Sequence, residues 1–273
     1  MVAALLLAGL AACSKKDDSG VALAKSSPSD ASNQPAEGEA IPASNTAAAP
    51  VVDKAAVATL GKMGAYLRSL KAFEVRAITS RDHVLDNGQK IQVSGIQGVL
   101  VQRPNKFRGE ISSDAKERMF FYDGKTFTLY ADRVGYYATV PAPGTLGELS
   151  DDLENKYGIE LPLRDLVLWG TDKARGGDIT SARDIGPSQV DGTTVEQYAF
   201  QQNGMDWQIW IQQGAYPLPR KLVITTTSDD ARPDYSAVMN WNLAPSYNDA
   251  AFTFDPPAGA KKIVLVQLDS SSK

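Results

Sequence analysis

The sequence predicts an α+β fold built on one large, curved antiparallel sheet, and three observations lead to it. Short runs of alternating apolar and polar residues recur from residue 73 onward, separated by turns rich in Gly, Asn and Asp. The apolar spacing changes to steps of three and four in a few segments only. Strands and helices do not alternate regularly and no repeat of fixed length is present, which argues against parallel βαβ folds and solenoids. The count is about eleven strands with about three helices.

The first helix is predicted after Asp53, a capping residue, with Ala56, Leu60, Met63, Leu67 and Leu70 as its buried stripe and an end before Phe73. Gly61 and Gly64 inside it are expected to mark close packing. A strand over 73–77 follows, and Asp86, Asn87, Gly88 and Gln89 supply an Asn-Gly pair that favours a tight type I′ turn. Further strands are expected at 91–93, 99–101, 119–122, 126–130 and 136–140, with Pro104 at a strand edge or turn and an Asp123-Gly124 turn between. This part is an antiparallel meander.

The period then changes. Leu146, Leu149, Leu153 and Tyr157 share one helical face, and Leu163, Leu166, Val167 and Trp169 follow Pro162, which suits a first helical turn. Strands resume at 179–185, 195–200, 207–211, 222–227, 237–243 and 252–254, with an Asn203-Gly204 turn.

Before this domain the chain reads differently. Residues 1–10 form a short uncharged apolar run ending in Leu10, Ala11, Ala12 and Cys13. It is too short for a transmembrane helix, which needs about 20 apolar residues, but it suits a signal-peptide core with small residues at a cleavage site. The string resembles the lipobox of bacterial lipoproteins, which implies lipidation of Cys13 and several acyl chains for firm anchoring. No Lys or Arg precedes the run, so a start codon further upstream is expected. Ser14 resembles the outer-membrane sorting pattern, which points to a lipid-anchored periplasmic protein on the inner leaflet of the outer membrane. Residues 14–50 are Ala, Ser, Pro, Gly, Asn and Glu with almost no large apolar side chain, a composition that forms a tether. A coil of this length spans roughly 35 Å r.m.s.. The expected organisation is therefore a signal peptide and lipobox over 1–13, a tether over 14–50, a folded domain over 51–268 and a flexible tail over 269–273.

Composition narrows the chemistry. Of 273 residues, 43% are hydrophobic and 22% charged, ordinary for a globular protein. With 28 basic against 32 acidic side chains there is no positive field for a nucleic acid backbone, so no nucleic acid partner is expected. The single cysteine excludes an intramolecular disulfide. The single histidine, His83, is expected to be exposed beside the first hairpin turn, and His-rich metal sites cannot form. No phosphate loop, dinucleotide fingerprint, calcium loop or Gly-x-Ser-x-Gly elbow is present, so no catalytic residue, metal or cofactor is assigned. Asp151-Asp152 suits a helix start and Asp229-Asp230 a turn.

Several segments resemble a known group. Arg103, Pro104, Phe107 and Arg108, then Asp123, Gly124, Lys125 and Tyr130, resemble the paired strands of the LolA/LolB- and LppX-like periplasmic lipoprotein-carrier superfamily. Tyr216, Pro217, Leu218, Pro219, Arg220, Lys221 and Leu222, with Phe252, Phe254, Pro256, Pro257 and Gly259, are similar to it as well. Within it, the likeness is nearest to the predicted periplasmic group called domain of unknown function 2092, over about residues 55–265. The resemblance implies an open antiparallel half-barrel of about eleven strands with helices covering the concave face and an apolar cavity between. The helical insert at 146–169 corresponds to the helices that plug the cavity.

Alternation and position give the inward set: Val99, Val101, Phe107, Phe121, Phe127, Leu129, Trp207, Ile209, Ile211, Leu222, Ile224, Met239 and Trp241, with Leu149, Leu153, Leu166 and Trp169 from the lid. Each alone reads as core packing, and only their joint surface supports a ligand cavity. Arg103 and Arg108 read as solvated edge charges, with a lipid phosphate or carboxylate as the other reading. The leading function is a monomeric binding module for lipid or lipoprotein acyl chains, held at the membrane through Cys13, as carrier, acceptor or sensor. A structural or regulatory envelope protein that contacts another protein is the alternative. An enzyme acting through carboxylates such as Asp123 ranks last, since no converging acidic pair is legible.

Overall fold

The structure, a computed structural model, describes residues 51–114, 116–169, 171 and 179–268. The expected lipobox at Cys13, the tether over 14–50 and the tail over 269–273 lie outside the described residues.

Helix α1 (Lys54–Ser69) begins where Asp53 accepts hydrogen bonds from the Ala55 and Ala56 backbone amides at 2.7 and 3.4 Å. A carboxylate there satisfies two of the amides that a helix start leaves without partners. Ala56, Leu60, Met63, Gly64 and Leu67 form the buried stripe. Gly61 faces open space, so only Gly64 of the two glycines marks close packing.

Strands β1 (Ala72–Val84) and β2 (Lys90–Gln102) form a long hairpin. The Leu85 amide donates to the Gln89 carbonyl and the Gly88 amide to the Leu85 carbonyl, both at 2.8 Å. Gly88 has φ +80° while Asn87 keeps a negative φ, so the loop has three residues rather than the expected two-residue type I′ turn. The meander continues with β3 (Lys106–Ser113), β4 (Glu117–Tyr122), β5 (Thr126–Ala131) and β6 (Tyr136–Pro141), each antiparallel to the one before.

Helix α2 (Leu146–Tyr157) is capped by Thr145, whose Oγ1 accepts from the Glu148 amide at 3.2 Å, and closed by Gly158 at φ +62°. Asp151 and Asp152 therefore sit in mid-helix rather than at its start. Helix α3 (Arg164–Leu168) is shorter than expected, because Leu163 takes a left-handed φ of +51° and leaves Pro162 outside the helix.

Strands β7 (Ile179–Val190), β8 (Thr193–Gln202), β9 (Met205–Gln212), β10 (Pro219–Thr226) and β11 (Asp234–Asn242) complete a second meander. Asp191 and Gly192 both have positive φ, +46° and +73°, and form the two-residue turn that joins β7 to β8. This turn carries β7 five residues past the expected end at Ile185. Phe252 lies in a 3-10 helix (Asp249–Phe252) and not in a strand. A two-residue strand β12 (Lys261–Lys262) pairs parallel to β6, an addition to the expected series.

Among the described residues one sheet of twelve strands runs β12-β6-β5-β4-β3-β2-β1-β11-β10-β9-β8-β7. It is an α+β open half-barrel, mostly antiparallel, whose edge strands do not meet. Strand β1 is the junction, bonded to β2 on one side and to β11 on the other. Both outer edges are occupied by terminal segments. Ala182 of β7 donates to the Val51 carbonyl at 3.0 Å and accepts from the Asp53 amide at 2.9 Å. Beside β6, Lys261 donates to the Gly135 carbonyl and Ile263 to the Tyr137 carbonyl, each at 2.8 Å. The core lies between the concave face and the helices.

Candidate functional site

Side chains two apart along a strand share a face, so the pairing register defines rows across the concave surface. One row runs Phe73, Val101, Phe107, Tyr122, Phe127 and Val140. The next runs Trp241, Val75, Val99, Gly109, Phe120, Leu129 and Ala138. On the other half, Tyr198, Ile209, Leu222 and Ala237 align, and beside them Phe200, Trp207, Ile224 and Tyr235. The result is a continuous apolar trough.

Most of the expected inward set falls in it. Val99, Val101, Phe107, Phe127, Ile209, Ile211 and Met239 are buried in the core cluster, and so are Trp207 and Leu222. Leu149, Leu153 and Leu166 meet them from α2 and α3. Leu129, Ile224, Trp241 and Trp169 are half-buried and pack against the same cluster. Phe121 is the correction. It lies on the opposite face, its ring 5.3 Å from that of Phe254 and under the Arg108 guanidinium at 5.5 Å. Phe120 and Tyr122 take the inward places in β4, because a one-residue change of phase exchanges the faces of a strand.

The cover is attached at discrete points. The Gln97 side-chain oxygen, on the concave face, accepts from the Leu163 amide at 3.3 Å. The Leu146 amide donates to the Pro104 carbonyl at 3.3 Å, and the Tyr122 hydroxyl to the Pro143 carbonyl at 2.5 Å. The Arg103 guanidinium donates to the Val167 carbonyl at 2.8 Å and the Leu67 carbonyl at 3.5 Å, with the Phe73 ring 5.8 Å away. Arg103 is therefore a half-buried bridge between α1 and α3, not a solvated edge charge. Its burial, and after it the charge of Arg68, pulls its proton affinity below the usual arginine value. Pro162 enters a notch at Gly109, where an added Cβ would come within 2.7 Å of the proline ring and of Phe107. At the end of the cover, Trp169 meets Trp207 edge-on at 5.9 Å, and Trp207 stacks on Phe200 at 4.3 Å.

Charged groups collect at two places. Arg164, only 7% exposed, donates to Ser150 Oγ at 2.5 Å and lies 3.6, 3.7 and 3.8 Å from Asp151, Glu154 and Asp165. Carboxylates thus do converge here, but on a buried arginine between α2 and α3. The second place is one end of the trough, open to solvent in that Arg81, Lys116 and Arg118 there are exposed. Arg118 follows the Phe120 and Tyr122 face of β4, Lys116 lies one step beyond it, and Arg81 continues the Thr79 face of β1 opposite Val93. Partial burial of its ammonium, then the charges of Arg118 and Arg81, lower the Lys116 proton affinity against the opposing pull of Glu160. Burial pushes the neighbouring Tyr235 phenol up to about 12, Arg81 acting against it and Asp165 and Glu160 with it. Arg81 stands over the Tyr235 ring at 5.2 Å.

Arg81, Arg118, Gln97 and Gly109 were not singled out from the sequence, although correct phasing of β4 identifies Arg118. His83 is exposed at the end of β1. Asp123 accepts from the amides of Lys125 and Thr126 at 2.9 and 2.8 Å, so its carboxylate shapes the β4–β5 turn. Asp229 similarly accepts from the Ala231 amide in a turn.

A family model described as "Predicted periplasmic protein (DUF2092)" matches residues 56–266. No curated protein matches the chain. Among solved structures, an uncharacterized conserved protein from Thermus thermophilus is similar at TM-score 0.45 and 11% identity, over 77% of this chain and 99% of that one. The Mycobacterium tuberculosis lipoprotein LppX is similar at TM-score 0.44 and 13% identity, over 72% of this chain and 100% of its own. LprF from Mycobacterium bovis gives TM-score 0.44 and 15% identity, over 78% and 100%.

Proposed function

The chain belongs to the predicted periplasmic protein family DUF2092, and from that premise we propose that it is a membrane-tethered periplasmic lipoprotein that binds a hydrophobic ligand in its half-barrel. The ligand is a lipid, an acyl chain or the acyl chains of a lipoprotein, and the role is that of carrier, acceptor or sensor. Residues 1–13 act as signal peptide and lipobox, with Cys13 lipidated in the inner leaflet of the outer membrane. Residues 14–50 act as the tether, 51–268 as the binding domain and 269–273 as a tail.

One observation supports this reading above the others: the apolar rows of the concave face lie under a cover fastened by isolated polar contacts at Gln97, Arg103 and Pro104. Shifting α2 and α3 uncovers a trough whose apolar area rewards an acyl chain at about 25 cal/mol per Å². Concave apolar surfaces with a few placed polar groups are the usual form of ligand sites. A second reading is favoured by the closed state of the interior, where Met63, Leu67, Phe73 and Phe107 are fully buried by their neighbours. On that reading the protein is structural or regulatory and contacts another envelope protein without a lipid.

Displacement of a fluorescent long-chain fatty acid from the Cys13→Ser protein distinguishes the two. Saturable binding at micromolar protein is expected, and its absence with the fold intact by circular dichroism favours the second reading. Loss of membrane fractionation on Cys13→Ser tests the anchor.

A further inference from the structure

We infer that the open end of the trough, bordered by Arg81, Lys116 and Arg118, receives the anionic headgroup of an acyl amphiphile, a carboxylate or phosphate, while the acyl tail runs inward along the apolar rows. The inference rests on the apolar-ligand reading and specifies its chemistry.

Three observations bear on it. Arg118 and Lys116 continue the face of β4 that carries Phe120 and Tyr122, so one strand face passes from cationic to fully apolar over four residues, about 13 Å. Arg81 reaches the same end from β1, through the row that holds Tyr235, Ile224 and Trp207. All three cations are exposed, and among the described residues none of them forms an ion pair with a carboxylate.

Burial first, and then the like charges of Arg118 and Arg81, lower the proton affinity of Lys116, so the three cations stand close enough to oppose one another. An anion among them relieves the repulsion and accepts charge-assisted hydrogen bonds from two guanidinium groups. The cover brings negative charge to this end through Asp165 and Glu160, both of which act on the Tyr235 phenol. Glu160 acts on Lys116 through its charge, so in the closed state it stands partly in the role of the headgroup. A bound headgroup replaces it there.

The test uses tryptophan fluorescence of the full chain, since Trp169 and Trp207 abut the trough, with quenching by dibrominated stearate and by its neutral methyl ester. The wild type is expected to bind the acid about tenfold more tightly than the ester, the effect of one charge-assisted contact. Lys116→Gln/Arg118→Gln should remove that preference with ester binding unchanged, and Arg118→Lys should restore part of it. Inorganic phosphate in tenfold excess over the acid should leave the acid bound. Equal binding of acid and ester by the wild type overturns the headgroup site but leaves the apolar-ligand reading in place. Displacement of the acid by phosphate assigns the cations to a free anion and also overturns it. Failure of both probes with the fold intact removes the apolar-ligand reading, and the headgroup site with it.

Discussion

The Arg103 guanidinium donates to the Val167 carbonyl at 2.8 Å, so the turn between β2 and β3 holds the end of α3 through one charged contact. A cation at the exposed carbonyls of a helix end complements both their hydrogen bonding and the helix dipole. Arg103→Met keeps an unbranched apolar side chain at this position and removes the donor together with the guanidinium over Phe73. It should cost about 1–3 kcal/mol in urea unfolding and speed hydrogen exchange in α3. A change confined to global stability, with α3 exchange unaltered, counts against a fastening role.

Gly109 is required by a close approach. A side chain there would overlap Pro162 and Phe107 at 2.7 Å. Gly109→Val should therefore lift the 161–163 segment from β3 or strain the sheet, at about 1–3 kcal/mol. If the lid is the weaker partner, binding of the fluorescent fatty acid becomes faster in the variant. Unchanged stability and unchanged association rate would sink this account of the notch.

The Arg164–Ser150 contact is suited to a double-mutant cycle. Arg164→Met leaves Asp151, Glu154 and Asp165 near one another without their shared cation, but these carboxylates are 30%, 45% and 33% exposed, so water moderates the loss. A cost of about 1–2 kcal/mol is expected, with a coupling to Ser150→Ala of about 1 kcal/mol. Additive single effects would show that the hydroxyl is incidental.

Two phenols set an alkaline limit. Burial first, then the charges of Glu148 and Asp123, raise Tyr122 to about 12, and Tyr235 stands at about 12 as well. In the unfolded chain such phenols ionise near the ordinary value of 10. Between pH 10 and pH 12 the unfolded state sheds protons that the folded state retains, so this stabilisation is complete below 10 and is lost as pH rises toward 12. The slope should approach about 1.4 kcal/mol per pH unit for each fully retained phenol. Tyr122→Phe should make the alkaline slope shallower in urea titrations at several pH values, while losing about 1 kcal/mol at neutral pH with the Pro143 contact.

How much of this was legible varied with the range of the cause. Local chemistry was readable: Asp53 caps α1, the α2 stripe of Leu146, Leu149 and Leu153 is buried, and most turns fall at Gly. The strand face is readable where residues alternate cleanly, as from Phe73 to Ala77. In β4 it is not, because Met119, Phe120, Phe121 and Tyr122 are all large and apolar and either phase satisfies the pattern. That ambiguity placed Phe121 inward and concealed Arg118. The bridging role of Arg103 lacks a local signal for a different reason, since its partners at Leu67 and Val167 lie 36 and 64 residues away. The β1–β11 pairing, which joins the two meanders, has no local signal either.

The two occupied sheet edges have a consequence for how copies of the molecule behave when crowded. A wide open sheet invites growth by strand addition, since each edge offers unpaired amides and carbonyls to a neighbour. Here the segment entering the domain bonds to Ala182 on one edge, and the segment leaving it bonds to Gly135 and Tyr137 on the other. Pro187 and the irregularity at Asp184–Gly186 further spoil β7 as a template, and Lys261 and Lys262 place charge on the opposite rim. The segments that flank the domain thus act as terminators, so a sheet that does not close on itself is still shielded from strand addition at these positions.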